Sequence, residues 1–167
     1  MYFLMDSTLK SYLSKHNIKY IEHKHEAVFT VEEAQKLKLD LPNLLHTKNL
    51  FLKDEAKKFY LICMHAYSRL NIKSLKEKLN AKKKLSFGSS EQLKEKLNLT
   101  PGSVSIFGMI YAKDVSLIID KKVWEAPVVG FHPNINTATL EITHANLERF
   151  YNSLNCEKQI IDLKNED

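Results

Sequence analysis

The stretch from Lys48 to His65, KNLFLKDEAKKFYLICMH, decides how the chain is read. Two runs dense in aliphatic and aromatic residues, KNLFLKD and KKFYLICMH, are separated only by Glu55 and Ala56. Such runs favour extended strands, and a link that short joins strands lying antiparallel. Side chains alternate along a strand, so Lys48 shares a face with Leu50 and Leu52, while Asn49, Phe51 and Lys53 take the other. A lysine at the end of an apolar face has two readings. It begins an edge strand and extends its ammonium to water, or it meets an anionic partner that offsets the cost of desolvation.

Outward from this hairpin, the same composition marks strands in KYIEH, KLSF, SVSIFGMIY, VSLIID, PVVGFH and TATLEI. Helix starts are marked by hydroxyl residues followed at the third position by Glu or Gln, as in Thr30-x-x-Glu33 and Ser89-x-x-Gln92, and less completely by Thr143. Beyond Thr143, the spacing of Leu147, Phe150, Tyr151 and Leu154 gives a helix one apolar face. Further helices are expected over Ser7 to His16 and Ile72 to Leu79. The expected fold is α+β: a single domain, 1–167 with its core about 9–163, built on a mixed, curved β-sheet flanked by helices. No repeat or Pro/Gly/Ser-rich linker divides it.

Composition narrows the chemistry. A chain of 167 residues with 44% hydrophobic and 27% charged residues can bury its own core without disulfide or metal staples. Cys63 and Cys156 lie in no redox or zinc spacing. MYFLMD is too short for a signal-peptide core or a membrane span, so a cytoplasmic chain without membrane attachment is expected. With glycine only at 88, 102, 108 and 130, neither a dinucleotide fingerprint nor a phosphate loop is present. There is no HExxH or GxSxG motif, and His23 and His25 lack an obvious third ligand, so neither metal nor cofactor is expected.

Three further features carry hydrogen-bonding capacity. Gly102-Ser103-Val104-Ser105-Ile106-Phe107-Gly108 is either a turn into a strand or a segment whose backbone amides meet a ligand. GFHPNINTAT, from Gly130 to Thr139, puts His132 at a strand end, either satisfied by local backbone or available for chemistry. Lys82, Lys83 and Lys84 form a basic cluster that either touches phosphates or is a solvated loop; the overall charge of +5 permits RNA binding without requiring it.

In order along the chain, these blocks resemble the YbaK/prolyl-tRNA-synthetase-associated editing domain superfamily, most closely its freestanding prolyl-tRNA editing members. His25-x-x-Val28-Phe29-Thr30-Val31-Glu32-Glu33-Ala34 is similar to the family's early motif. KNLFLKD, LSFGSSEQL, PGSVSIFG and FHPNINTAT follow as its later blocks do. The resemblance implies a cytoplasmic enzyme that deacylates tRNA(Pro) carrying a wrong amino acid, alanine before cysteine or serine. The other class left open is a catalytically silent aminoacyl-tRNA binding module. As catalytic residues it implies Lys48, engaging the tRNA terminus, Gly102 and Ser103, whose amides would hold the oxyanion, and His132. It also implies substrate contacts from His25, Asn49, Val104, Ser105, Ile106, Phe107, Gly130, Pro133, Asn136 and Thr137, and tRNA contacts from Lys82, Lys83 and Lys84. The partner implied is the acceptor end of tRNA(Pro), with prolyl-tRNA synthetase left open as a second. Two positions depart from the family pattern: Ile106 stands where a proline is usual, and Asn134 where a leucine is.

Overall fold

A computed structural model describes residues 4–81 and 84–166. The helices are α1 (Ser7–Lys15), α2 (Val31–Asp40), α3 (Ile72–Leu79), α4 (Ser90–Leu97), α5 (Lys121–Glu125) and α6 (His144–Ser153). The strands are β1 (Ile21–Lys24), β2 (Leu45–Lys53), β3 (Phe59–His65), β4 (Ser86–Phe87), β5 (Val115–Asp120), β6 (Val128–Phe131), β7 (Ala138–Thr143) and β8 (Lys158–Ile161). They form one mixed eight-stranded sheet in the order β1-β7-β6-β2-β3-β5-β8, with β4 also paired to β2.

The opening hairpin is the centre of this sheet. β2 and β3 pair antiparallel over seven residue pairs, with Lys48 opposite Met64 and Asn49 opposite Cys63. The alternation separates two cores. Phe51, Phe59, Leu61 and Cys63 pack on one face with Leu9, Leu13, Leu93, Phe107, Phe131 and Phe150. Leu50, Leu52, Tyr60 and Ile62 pack on the other with Leu75, Leu85 and Leu163. Lys48 belongs to this second face, as its spacing from Leu50 and Leu52 requires.

Local chemistry sets the helix ends. Thr30 accepts from the Glu33 N–H at 3.1 Å, and Ser89 with Gln92 forms a complete capping box. Asn71 caps α3, and Asn80 and Asn98 end α3 and α4 in the left-handed conformation, which asparagine tolerates. Thr143 precedes α6 but makes no side-chain cap bond.

One strand expectation fails. Ile106–Tyr111, inside SVSIFGMIY, is a 3-10 helix. The Ser105 hydroxyl caps it, and Ile106, Phe107, Gly108 and Met109 are all buried. Their β-branched and aromatic character therefore serves core packing on every side, and tertiary burial overrides strand preference. α5 and β8 escape the sequence reading. The first is a single short turn of helix, and the second is a half-exposed edge strand added in parallel to β5. Among the described residues, no helix is long and apolar enough to cross a membrane.

Candidate active site

The sheet opens beside β2. On the edge of β2 away from β3, β6 pairs only with Leu45 and His46, and β4 pairs only with Leu52 and Lys53. Between these ladders, residues 47 to 50 have no strand partner on that side among the described residues. Strand peptides turn alternately to either edge. The His46 carbonyl accepts from Ala66 on the β3 side, and the Phe51 carbonyl accepts from Gly88 on the β4 side. By the same alternation, the Asn49 N–H and carbonyl turn away from β3 and into the gap.

A cleft of about 280 Å³ lies at this gap, near the lower end of the range for small-molecule sites. Its floor is Asn49, Leu50 and Phe51. One wall is Phe87 to Ser90 with Leu93, and the other is Pro101, Gly102 and Val104. Larger hollows lie near Glu157, near Tyr67, between Lys10 and Tyr20, and beside His25; of the candidate site residues named from the sequence, they take in only His25. The Asn49 Oδ1 is buried and has no hydrogen-bond partner among the described residues. An orphaned acceptor beside a cleft is a place for a ligand donor.

The second wall is a tight turn. Gly102 has φ +86°, a conformation that favours glycine, and the Ser103 N–H closes the turn on the Thr100 carbonyl at 3.1 Å. The Ser103 amide is therefore engaged and does not face a ligand, which corrects its expected role. Ser105 then fixes the exit of the loop. Its buried hydroxyl donates to the His132 carbonyl and accepts from the Phe107 N–H at 3.2 Å. Ile106 occupies the first helical position, where a proline would also fit. Here the serine cap and the burial of Ile106 hold the loop instead. The side chains of Ile106 and Phe107 are given to the core, Phe107 packing edge-on against Phe131 and Phe150, so neither lines the cleft.

His132 follows β6 and joins a group of imidazoles. Its Nδ1 lies 2.9 Å from the Ala138 carbonyl, which can only accept, so Nδ1 carries the proton and Nε2 is left as an acceptor. The His25 ring stands edge-on to it at 6.0 Å. His25 donates from Nδ1 to the Glu26 carbonyl at 2.8 Å, and its Nε2 shares a hydrogen bond with the Thr139 hydroxyl at 2.9 Å. Burial, and secondarily the neighbouring histidines, lower the pKa of His132 and of His46, so both are neutral near pH 7. At Gly130 a Cβ would meet a Leu44 methyl at 2.6 Å and the Thr139 methyl at 3.0 Å, so a larger residue there would displace the Leu44 side chain. Pro133, Asn136 and Thr137 are buried in the connection to β7, and the Thr137 carbonyl accepts from the His25 N–H at 3.0 Å. Asn134 has φ +62°, which favours asparagine over leucine, and its Oδ1 is a second buried orphan.

Lys48 does not line this cleft. Its Nζ donates to the Ser68 carbonyl at 2.7 Å, and burial lowers its pKa. Of the basic cluster, Lys84 is exposed, while Lys82 and Lys83 lie outside the described residues. The structure thus gathers Asn49, Gly102 and Val104 at one cleft. It ties His132 to the loop beside that cleft through Ser105, sets His25 and Thr137 next to His132 with His25 lining a separate cleft, and leaves Lys48 on the opposite face of β2. Sequence reasoning missed the wall formed by β4 and α4. Its signal was Gly88, where a Cβ would run into the Phe51 ring at 2.2 Å. It also missed Thr139, visible only as a hydroxyl on one face of TATLEI.

A mixed sheet that parts beside its central strand, with backbone groups, an asparagine and a glycine turn at the opening, defines an α+β domain that would hold a small ligand largely by main-chain and neutral polar contacts. Residues 25–150 match the model of the aminoacyl-tRNA editing domain, and the chain belongs to that family. It is 33% identical over 140 residues to the prolyl-tRNA editing protein ProX of Acetoanaerobium sticklandii, covering 82% of this chain and 84% of that protein. It is 32% identical over 151 residues to prolyl-tRNA synthetase associated domain-containing protein 1 of Danio rerio, covering 85% and 78%. A crystal structure of a protein assigned as a trans-editing enzyme for prolyl tRNA synthetase shares the fold, with TM-score 0.72 at 14% identity, over 98% of this chain and 99% of the other.

Proposed function

We propose that the protein hydrolyses the ester joining a wrong amino acid to tRNA(Pro), with alanine as the principal substrate. The observation that carries this reading is the unpartnered polar lining of the gap beside β2: the Asn49 main chain and Oδ1 opposite the Gly102 turn. The relatives at 32–33% identity, two of them named for prolyl-tRNA editing or prolyl-tRNA synthetase, support the choice of tRNA.

In this reading, water attacks the ester carbonyl carbon, the bond from that carbon to the ribose oxygen breaks, and the ribose oxygen takes a proton. The products are the free amino acid and tRNA with its terminal hydroxyl restored. The Asn49 N–H, and the Gly102 N–H in place of the Ser103 amide, are the donors aimed at the developing oxyanion. The Asn49 Oδ1 accepts from the substrate ammonium. His132, neutral and with Nε2 unprotonated, orders water through the Ser105-linked wall. Lys48 leaves the Ser68 carbonyl to meet the terminal phosphate, a stronger partner for an ammonium than a neutral carbonyl. A cleft sized for small side chains acts as a second sieve, because a synthetase built for proline cannot strongly reject something smaller.

The test is a panel of tRNA(Pro) charged with Ala, Cys, Ser and Pro, incubated with the purified protein. Release of alanine with prolyl-tRNA spared is the expected result. The resting position of Lys48 at Ser68 favours one second reading, an aminoacyl-tRNA binding module without turnover. Binding to every member of the panel with release from none would establish it instead.

A further inference from the structure

Among the described residues, five phenylalanines are buried, whereas Phe29 and Phe87 are 74% and 67% exposed. Single exposed apolar side chains are ordinary on a protein surface. These two flank one cleft. Phe87 lines the β4–α4 wall directly, and the Phe29 ring comes within 3.9 Å of where a Cβ on Gly102 would stand, beyond the opposite wall. Each rim of a polar opening thus carries a bare aromatic face.

Charge is distributed to match. Between residues 73 and 96 there are eight lysines and three glutamates, so this segment carries the whole formal excess of +5 and the remainder of the chain balances to zero. The segment runs through α3, β4 and α4 and includes the wall that holds Phe87. Lys73, Lys78, Lys84 and Lys94 are exposed on it. Glu77, Glu91 and Glu95 are exposed among them, so the segment is net basic rather than of one sign. A surface that joins aromatic faces to a net basic flank fits a single-stranded nucleic acid, whose bases stack and whose phosphates need cations.

We propose that Phe29 and Phe87 stack the unpaired 3′-terminal nucleotides of the RNA, while its backbone runs outward over exposed lysines of the adjoining segment, Lys84 and Lys94 foremost. This rests on the reading of the protein as an aminoacyl-tRNA site, and it assigns the surface that orients the RNA. Stacking tolerates any base, so these residues set affinity rather than the identity of the tRNA.

The test uses an uncharged tRNA(Pro) transcript and measures Kd by fluorescence anisotropy at two salt concentrations. Phe29→Ala and Phe87→Ala each weaken binding about tenfold with the salt slope unchanged, and Phe87→Trp restores it. The pair Lys84→Glu and Lys94→Glu reduces the salt slope by about one to two, whereas Lys15→Glu on α1 does not. A transcript lacking the unpaired 3′ end binds the wild type weakly and is indifferent to the phenylalanine changes. Affinities within twofold of wild type for both alanine variants would overturn the proposal. So would equal losses on the truncated transcript, or a change in oligomeric state in place of RNA affinity. Because the RNA is uncharged, the outcomes separate: binding through Phe29 and Phe87 without deacylation would sink only the enzymatic reading, and deacylation with unchanged affinities would sink only this one.

Discussion

Ser105→Ala tests how the glycine turn is joined to the strand that carries His132. The wild-type hydroxyl is buried and makes two bonds, to the His132 carbonyl and from the Phe107 N–H that it caps. Losing the cap costs about 1 kcal/mol. Leaving a part-buried carbonyl without its donor costs about another 1–2 kcal/mol. The sum of roughly 2–3 kcal/mol corresponds to a fall in Tm of roughly 4–12 °C for a domain of this size. Urea denaturation gives the free energy directly, with the exposed Ser14→Ala, expected within about 0.5 kcal/mol of wild type, as control. The loop and His132 should also lose their fixed relation, so deacylation should fall further than the loss of folded protein explains. A change below about 0.5 kcal/mol in Ser105→Ala would refute the idea that this hydroxyl ties the two walls together.

Asn49→Leu removes a buried acceptor that has no partner, so stability should hold or rise by about 1 kcal/mol while alanine release falls. Calorimetry and deacylation measured together check this opposition. Lys48→Met, which takes a desolvated ammonium from the second face of β2, should leave stability within about 1 kcal/mol and reduce turnover about a hundredfold or more. The lowered pKa values of His46 and His132 mean that the unfolded chain binds more protons than the folded one below about pH 6.5. Stability should therefore decline as pH falls from 7.5 to 5.5, read from urea midpoints, and His46→Gln should flatten that decline. Gly88→Ala forces a methyl into the Phe51 ring, which is stacked on Phe59, and should cost about 1–3 kcal/mol, read from a lower urea midpoint.

Much of the fold was legible because local chemistry and tertiary structure agree. Ile72 to Leu79 was readable as a helix from its periodicity, and α2 and α4 from hydroxyls with Glu or Gln three residues on. The central hairpin was readable because two apolar runs leave no room for anything but a tight link. Residues 106–111 were misread for the opposite reason: local preference said strand, and burial on all sides with a serine cap made a 3-10 helix. The site was legible as a set of blocks but not as an arrangement. Alternation in KNLFLKD already sets Lys48 and Asn49 on opposite faces, yet only the short ladders of β4 and β6 reveal that the gap belongs to Asn49. Nothing in the linear order says that the Ser103 amide is consumed by its own turn.

The gap beside β2 is bounded by strands from very different parts of the chain. β3 follows β2 within a few residues, β4 comes later, and β6 arrives only near residue 128. During synthesis from the N-terminus, the hairpin and the Phe87 wall can form while the His132 side does not yet exist. The complete cleft, with its histidine side, would then be among the last features the nascent protein acquires, finished only when its C-terminal quarter closes against a strand laid down long before.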